Sequence, residues 1–176
     1  MKKAFMISLL AFVVLTAQFS SAQSTGCEAR LKQKTEQLYM NYGYLKELYR
    51  SLHEMAELSV YESDRELDYI QKSYMLVKEA NLICYYQYKL LSIMEYISND
   101  AKSDYYEIML KDLDKAEFET KHTIRLIDLY TGFIKNEKVL KSVEDAIGII
   151  QANIYMYVEL MDILKQTKDK GTEQKP

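Results

Sequence analysis

Glu119 and His122 stand three residues apart. That Glu-x-x-His spacing turns a carboxylate and an imidazole to one side of a helix, and in ferritin-like bundles it holds half of a di-iron site. Such a site needs the motif twice, with a further glutamate from each of the two remaining helices. Here it occurs once, because the other histidine, His53, follows Arg50 by three residues, a cation where a ligand belongs. Glu119 and His122 also flank the apolar row of their segment instead of occupying it, so no metal ligand is expected. Hydrolytic chemistry has no better footing. No nucleophile elbow or glycine-rich turn singles out a serine. The carboxylate pairs Asp112 with Asp114 and Glu117 with Glu119 read as the wet face of a helix. The sequence therefore predicts no catalytic residue and no cofactor, and a protein that is not an enzyme.

Two cysteines, Cys27 and Cys84, invite a disulfide. If the first two helices fold back near Tyr61, Cys84 lies opposite about Leu38, and Cys27 is about 16 Å further along, whereas bridged Cα atoms lie within about 7 Å. A bridge would require the chain ahead of Leu38 to unwind. The alternative is a free thiol at Cys84, packed as a small apolar side chain. Tyrosine is over-represented, with 16 copies and no tryptophan. Tyr85, Tyr86 and Tyr88 crowd one stretch, with Tyr96, Tyr105 and Tyr106 nearby. These rings suit either an aromatic recognition surface or boundary positions, ring inward and hydroxyl in water. Their spread over the whole chain favours the second.

The N-terminus reads as a secretory signal. Lys2 and Lys3 precede a nearly all-apolar run from Ala4 to Ala17, and Ser20-Ser21-Ala22 supplies small residues for cleavage between Ala22 and Gln23. The run falls short of the about 20 apolar residues that span a bilayer. The expected signal peptide is 1–22 and the expected location is periplasmic or secreted, with no membrane span in the mature chain. A rival places a lipid anchor on Cys27 after Gly26, against which Ser24 stands where a bulky apolar residue is preferred. Removing 1–22 leaves 21 basic against 26 acidic side chains. That balance gives no basic footprint for nucleic acid.

The elements that must position these residues are helices. The only proline is Pro176 and the five glycines are scattered, which permits long uninterrupted helices. No hairpin signal occurs. Leu31, Leu38, Leu45 and Leu52 mark a first helix over about 28–58. A second starts at Ser63 or Asp64 with the core row Leu67, Ile70, Tyr74, Val77, Asn81, Cys84, Tyr88 and Leu91. A third, capped by Ser103 or Asp104, carries Tyr106, Met109, Leu113, Ala116, Thr120, Ile124, Ile127 and Tyr130, and stops at Gly132 in the left-handed cap conformation. The fourth, over about 136–165, carries Leu140, Val143, Ile147, Ile150, Ile154, Tyr157, Met161 and Leu164. Short connections make neighbours antiparallel. The expected fold is all-α: an elongated up-down-up-down four-helix bundle over 23–166 with a polar tail at 167–176. The alternative is a three-helix rod, fused across Gly132.

The second helix also carries a second apolar row, Ile83, Tyr86, Leu90, Ile93 and Ile97, displaced from its core row. Exposed contiguous apolar surface marks interaction sites. The expected function is a non-catalytic interaction or assembly module of the bacterial cell envelope, binding a protein partner or itself through this helix. In outline such a bundle is similar to the helical periplasmic proteins that accompany conjugative and type IV secretion machines, a likeness of architecture carried by no motif. The alternative is a bundle holding a small apolar ligand between its helices, with Asn81, Cys84, Thr120 and Thr123 as its polar groups.

Overall fold

A computed structural model describes residues 26–58, 61 and 63–173. The expected cleavage between Ala22 and Gln23 lies outside the described residues. Four helices account for nearly all of the rest: α1 Cys27–Leu58, α2 Asp64–Ile93, α3 Asn99–Thr131 and α4 Glu137–Glu173. A single 3-10 turn, Met94–Tyr96, follows α2. Each helix packs on its neighbours in the cyclic order α1, α2, α3, α4, while α2 and α4 face each other across the diagonal with little direct approach. This is the antiparallel four-helix bundle, in place of the three-helix rod.

Local chemistry sets the ends. Ser63 caps α2, its side chain accepting from the Glu66 N–H at 3.2 Å. The Glu66 side chain reaches across to the connection between α3 and α4. It is buried and accepts from the N–H groups of Lys135 and Asn136 at 2.7 and 2.9 Å. Asn136 in turn caps α4, accepting from the N–H groups of Lys138 and Val139. One carboxylate thus fastens the α3–α4 connection to the start of α2.

One expected boundary and one expected cap conformation are corrected. Helix α3 begins at Asn99, after Ser98, a turn before Ser103 and Asp104, because the Ser98 carbonyl already accepts from Ala101 and Lys102. Gly132 does end α3, but with right-handed φ −61° and ψ −11°. The turn is held from outside, by Glu66, by buried Ile134 and by Phe133 stacked on Tyr69 at 4.5 Å. In addition, α4 runs through Glu173, into the stretch expected as a polar tail, where Lys168 pairs with Glu107 of α3 at 2.6 Å.

The core rows of α1 and α3 lie as read except at one end of each, where Leu31 and Tyr130 are half buried: Leu38, Leu45 and Leu52 are fully buried, as are Met109, Leu113 and Ile127. In α2 and α4 alternate positions shift by one residue. The buried row of α2 is Glu66, Ile70, Ser73, Val77, Ala80, Cys84, Gln87 and Leu91, with Asn81 buried beside Ala80 as read, and Leu67, Tyr74 and Tyr88 are only half buried. In α4, Val139, Ala146, Asn153 and Leu160 replace Leu140, Ile147, Ile154 and Met161, which are half buried against the core. Small side chains let the helices approach at the axis, and bulkier ones are pushed to the boundary. By length and composition α4 could cross a bilayer between Glu137 and Lys168. Here it is one wall of the bundle, its buried stripe against α1 and α3.

Candidate binding surface

The second apolar row of α2 divides. Ile83 and Leu90 are half buried and pack against the core, and the Tyr105 hydroxyl donates to the Leu90 carbonyl at 2.8 Å. Ile97 is half buried in the turn before α3. Tyr86 and Ile93 are 58% and 47% exposed, and they are joined on the outer face by Met75 and Leu82, each 57% exposed. Sequence reasoning missed Met75 and Leu82. Their signal was the spacing 75, 82, 86, 93, which places all four opposite the buried stripe.

Depressions flank this face on both sides. Between α2 and α3 a shallow groove of about 390 Å³ is lined by Leu82, Ile83 and Tyr86 from α2 and by Asp112, Lys115 and Glu119 from α3. At the other edge, where α1 begins and α2 ends, a groove of about 980 Å³ is walled by Leu31, Tyr39, Met40, Leu91, Met94 and Tyr106, with Ile93 at its margin. Tyrosines continue it along the α1–α2 seam. Tyr39, Tyr42, Tyr85 and Tyr88 form a run of tilted rings with centroids 4.8 to 6.4 Å apart. Lys89 Nζ sits 5.5 Å from both the Tyr85 and Tyr88 rings, and Lys46 Nζ 5.9 Å from Tyr42. Tyr39 is 55% exposed, whereas Tyr42 and Tyr88 are half buried as boundary residues.

Three of the four polar residues that would serve a ligand inside the bundle, Asn81, Cys84 and Thr123, are hydrogen-bonded to the protein itself. Asn81 Nδ2 donates to the Tyr42 carbonyl at 2.7 Å, the Cys84 thiol to the Leu38 carbonyl at 3.3 Å, and Thr123 Oγ1 to the Glu119 carbonyl at 3.0 Å. Asn41 Nδ2 donates to Asn153 Oδ1 at 2.7 Å, linking α1 to α4 in the same layer. Thr120 Oγ1 and the Tyr157 hydroxyl are buried neighbours without hydrogen-bond geometry. Burial pushes the Cys84 thiol up to about 12 and raises the Tyr157 hydroxyl well above its ordinary value. The thiol and the phenol of this layer are therefore neutral at physiological pH.

Cys84 does meet Leu38, the neighbour read from the helix register. Cys27, half buried at the start of α1, is not bridged to it. Glu119 is half buried and His122 exposed on α3; His53 lies on α1, stacked on Tyr74 at 5.0 Å. Among the described residues no three His, Cys, Asp or Glu side chains gather as a metal site. Compared with known proteins, the chain matches no family model, no curated relative and no solved structure. The fold and surface together define a class: a four-helix bundle with an exposed apolar stripe, Met75, Leu82, Tyr86 and Ile93, along one face of α2.

Proposed function

We propose that the protein is a non-catalytic interaction and assembly module of the bacterial cell envelope, exported by its N-terminal signal and acting through the outer face of α2. The observation that carries this reading is the stripe of Met75, Leu82, Tyr86 and Ile93, four large apolar side chains each about half exposed on one helix face. Burying such a stripe against a partner removes apolar surface from water at about 25 cal/mol per Å². The flanking grooves would receive the partner's neighbouring side chains. An accessory role beside a secretion-like machine fits a module of this shape, as an analogy of architecture.

Leu90 is half buried, so the informative substitution is at Ile93. Ile93→Glu should leave the helical circular dichroism and the melt nearly unchanged, since the side chain already meets water. It should abolish self-association or partner capture, because an unpaired carboxylate buried at an interface costs several kcal/mol. Leu91→Glu, in the buried core row, should unfold the bundle. Unchanged association in folded Ile93→Glu would remove α2 as the interaction face.

The groove of about 980 Å³ supports a second reading, a small apolar ligand held at the end of the bundle by Tyr39, Met40, Leu91 and Met94. Displacement of an apolar fluorophore, lost in Met94→Glu, checks it.

A further inference from the structure

The outer face of α2 is patterned to match itself. Between Met75 and Ile93 it presents Met75, Glu79, Leu82, Tyr86, Lys89 and Ile93, spaced alternately four and three apart. At about 100° per residue the six fall within an arc of about 80°, on the side away from Val77, Cys84 and Leu91. Alternation of four and three is the seam spacing of a two-stranded coiled coil. The order is also symmetric about position 84. Met75 and Ile93 lie nine residues to either side, Glu79 and Lys89 five, and Leu82 and Tyr86 two.

A two-fold axis at that position would lay one α2 antiparallel on another and bring Met75 onto Ile93, Glu79 onto Lys89 and Leu82 onto Tyr86, each contact made twice. Apolar residues then meet apolar residues, and the single acid of the stripe meets its single base. All six side chains are exposed, and neither Glu79 nor Lys89 forms an ion pair among the described residues. A parallel pairing in register would oppose glutamate to glutamate and lysine to lysine, which is unfavourable. Resting on the reading of α2 as the interaction face, we propose that its partner is a second copy of this chain, docked antiparallel about a two-fold axis at residue 84.

Sedimentation equilibrium of the purified protein should report a dimer. Glu79→Lys and Lys89→Glu should each weaken it at least about tenfold, and the charge swap carrying both should recover most of the loss, because the symmetric pair is rebuilt with reversed sign. Circular dichroism keeps folding separate from association. Register is read by a second measurement. In a Cys27→Ser background, Met75→Cys combined with Ile93→Cys should give an intermolecular disulfide on mild oxidation, and neither single variant should. Within one chain the two positions are about 27 Å apart along the helix, beyond the reach of a bridge. Cross-linking by the single variants would indicate a parallel pair and overturn the proposal, as would a monomer at high protein concentration or a charge swap that fails to rescue. A monomer that still captures another protein through Ile93 overturns the self-pairing alone. Capture insensitive to Ile93→Glu would remove the α2 reading with it.

Discussion

At Cys84 a thiol is held among Leu38, Asn153 and Tyr157, and desolvation raises its pKa from 9.0 to about 12. A raised pKa in the folded state means that the folded protein keeps its proton where the unfolded chain loses one. The associated stability is fully present below about pH 9 and declines as the pH climbs from there toward 12, by at most on the order of 4 kcal/mol. Tyr157, displaced in the same direction, adds a decline of the same sign above its ordinary value of 10.0. Urea midpoints measured from pH 8 to 11 should therefore fall less steeply in Cys84→Ala than in the parent. Equal slopes would mean that the thiol is not held protonated. Most polar donors of the same layer are already taken up within the bundle. Asn81, Cys84 and Thr123 each spend their donor on a helix carbonyl, which leaves them satisfied and packed.

At the scale of single elements, the junction between α3 and α4 depends on a residue of α2. Glu66→Ala removes the acceptor that the N–H groups of Lys135 and Asn136 share. The loss of a charged acceptor near a helix N-terminus is expected to cost about 1–3 kcal/mol. Hydrogen exchange should accelerate at Lys135 and Asn136 more than in the middle of α4; protection unchanged there would rule out the cap. Sequence showed Ser63 and an acidic residue three places on, the local half of this arrangement. It could not show that the carboxylate turns away to another helix, since the loop it serves is some seventy residues distant. Helix α4 supplies a second test. Ile150 is fully buried and Ile154 half buried. Ile150→Ala should cost about 2–5 kcal/mol, and Ile154→Ala clearly less, because the cavity left at the boundary is open to solvent. Equal losses in the two thermal melts would return Ile154 to the core row.

For the molecule as a whole, export is the proposal on which the choice of compartment rests. The protein recovered from the envelope or the medium is expected to begin at Gln23, and intact-mass spectrometry checks this directly. A mass corresponding to an acylated chain starting at Cys27 would replace the secreted form with an anchored one. Either product leaves the bundle intact, because α1 starts at Cys27. Its α2 face would stay available in both cases. The four helices close one core, with Lys34 of α1 paired to Glu159 of α4 and Lys168 of α4 paired to Glu107 of α3. These surface pairs contribute little to stability individually. The buried stripes carry most of it.

Composition and periodicity by themselves determined the all-helical class, the helical segments and most of the inward faces of α1 and α3, and the structure decided for four helices over three. Scarce proline and glycine and a repeat of three and four constrain local geometry without reference to the rest of the chain. Cys84 beside Leu38 was also legible, since an antiparallel turn near Tyr61 converts residue number directly into height along the bundle. The exact stripe that α2 and α4 turn inward was decided only in the tertiary structure. Sequence favours the bulkiest apolar residue in each turn. Packing at the axis instead selects Ser73, Ala80, Ala146 and Asn153, which are small or satisfied by a partner, and leaves Tyr74, Tyr88 and Ile154 at the edge. That rotation is also what turns Met75 and Leu82 outward beside Tyr86 and Ile93. The candidate surface was half visible in the sequence because a helix shows which residues share a face, while only its neighbours determine which face is left uncovered.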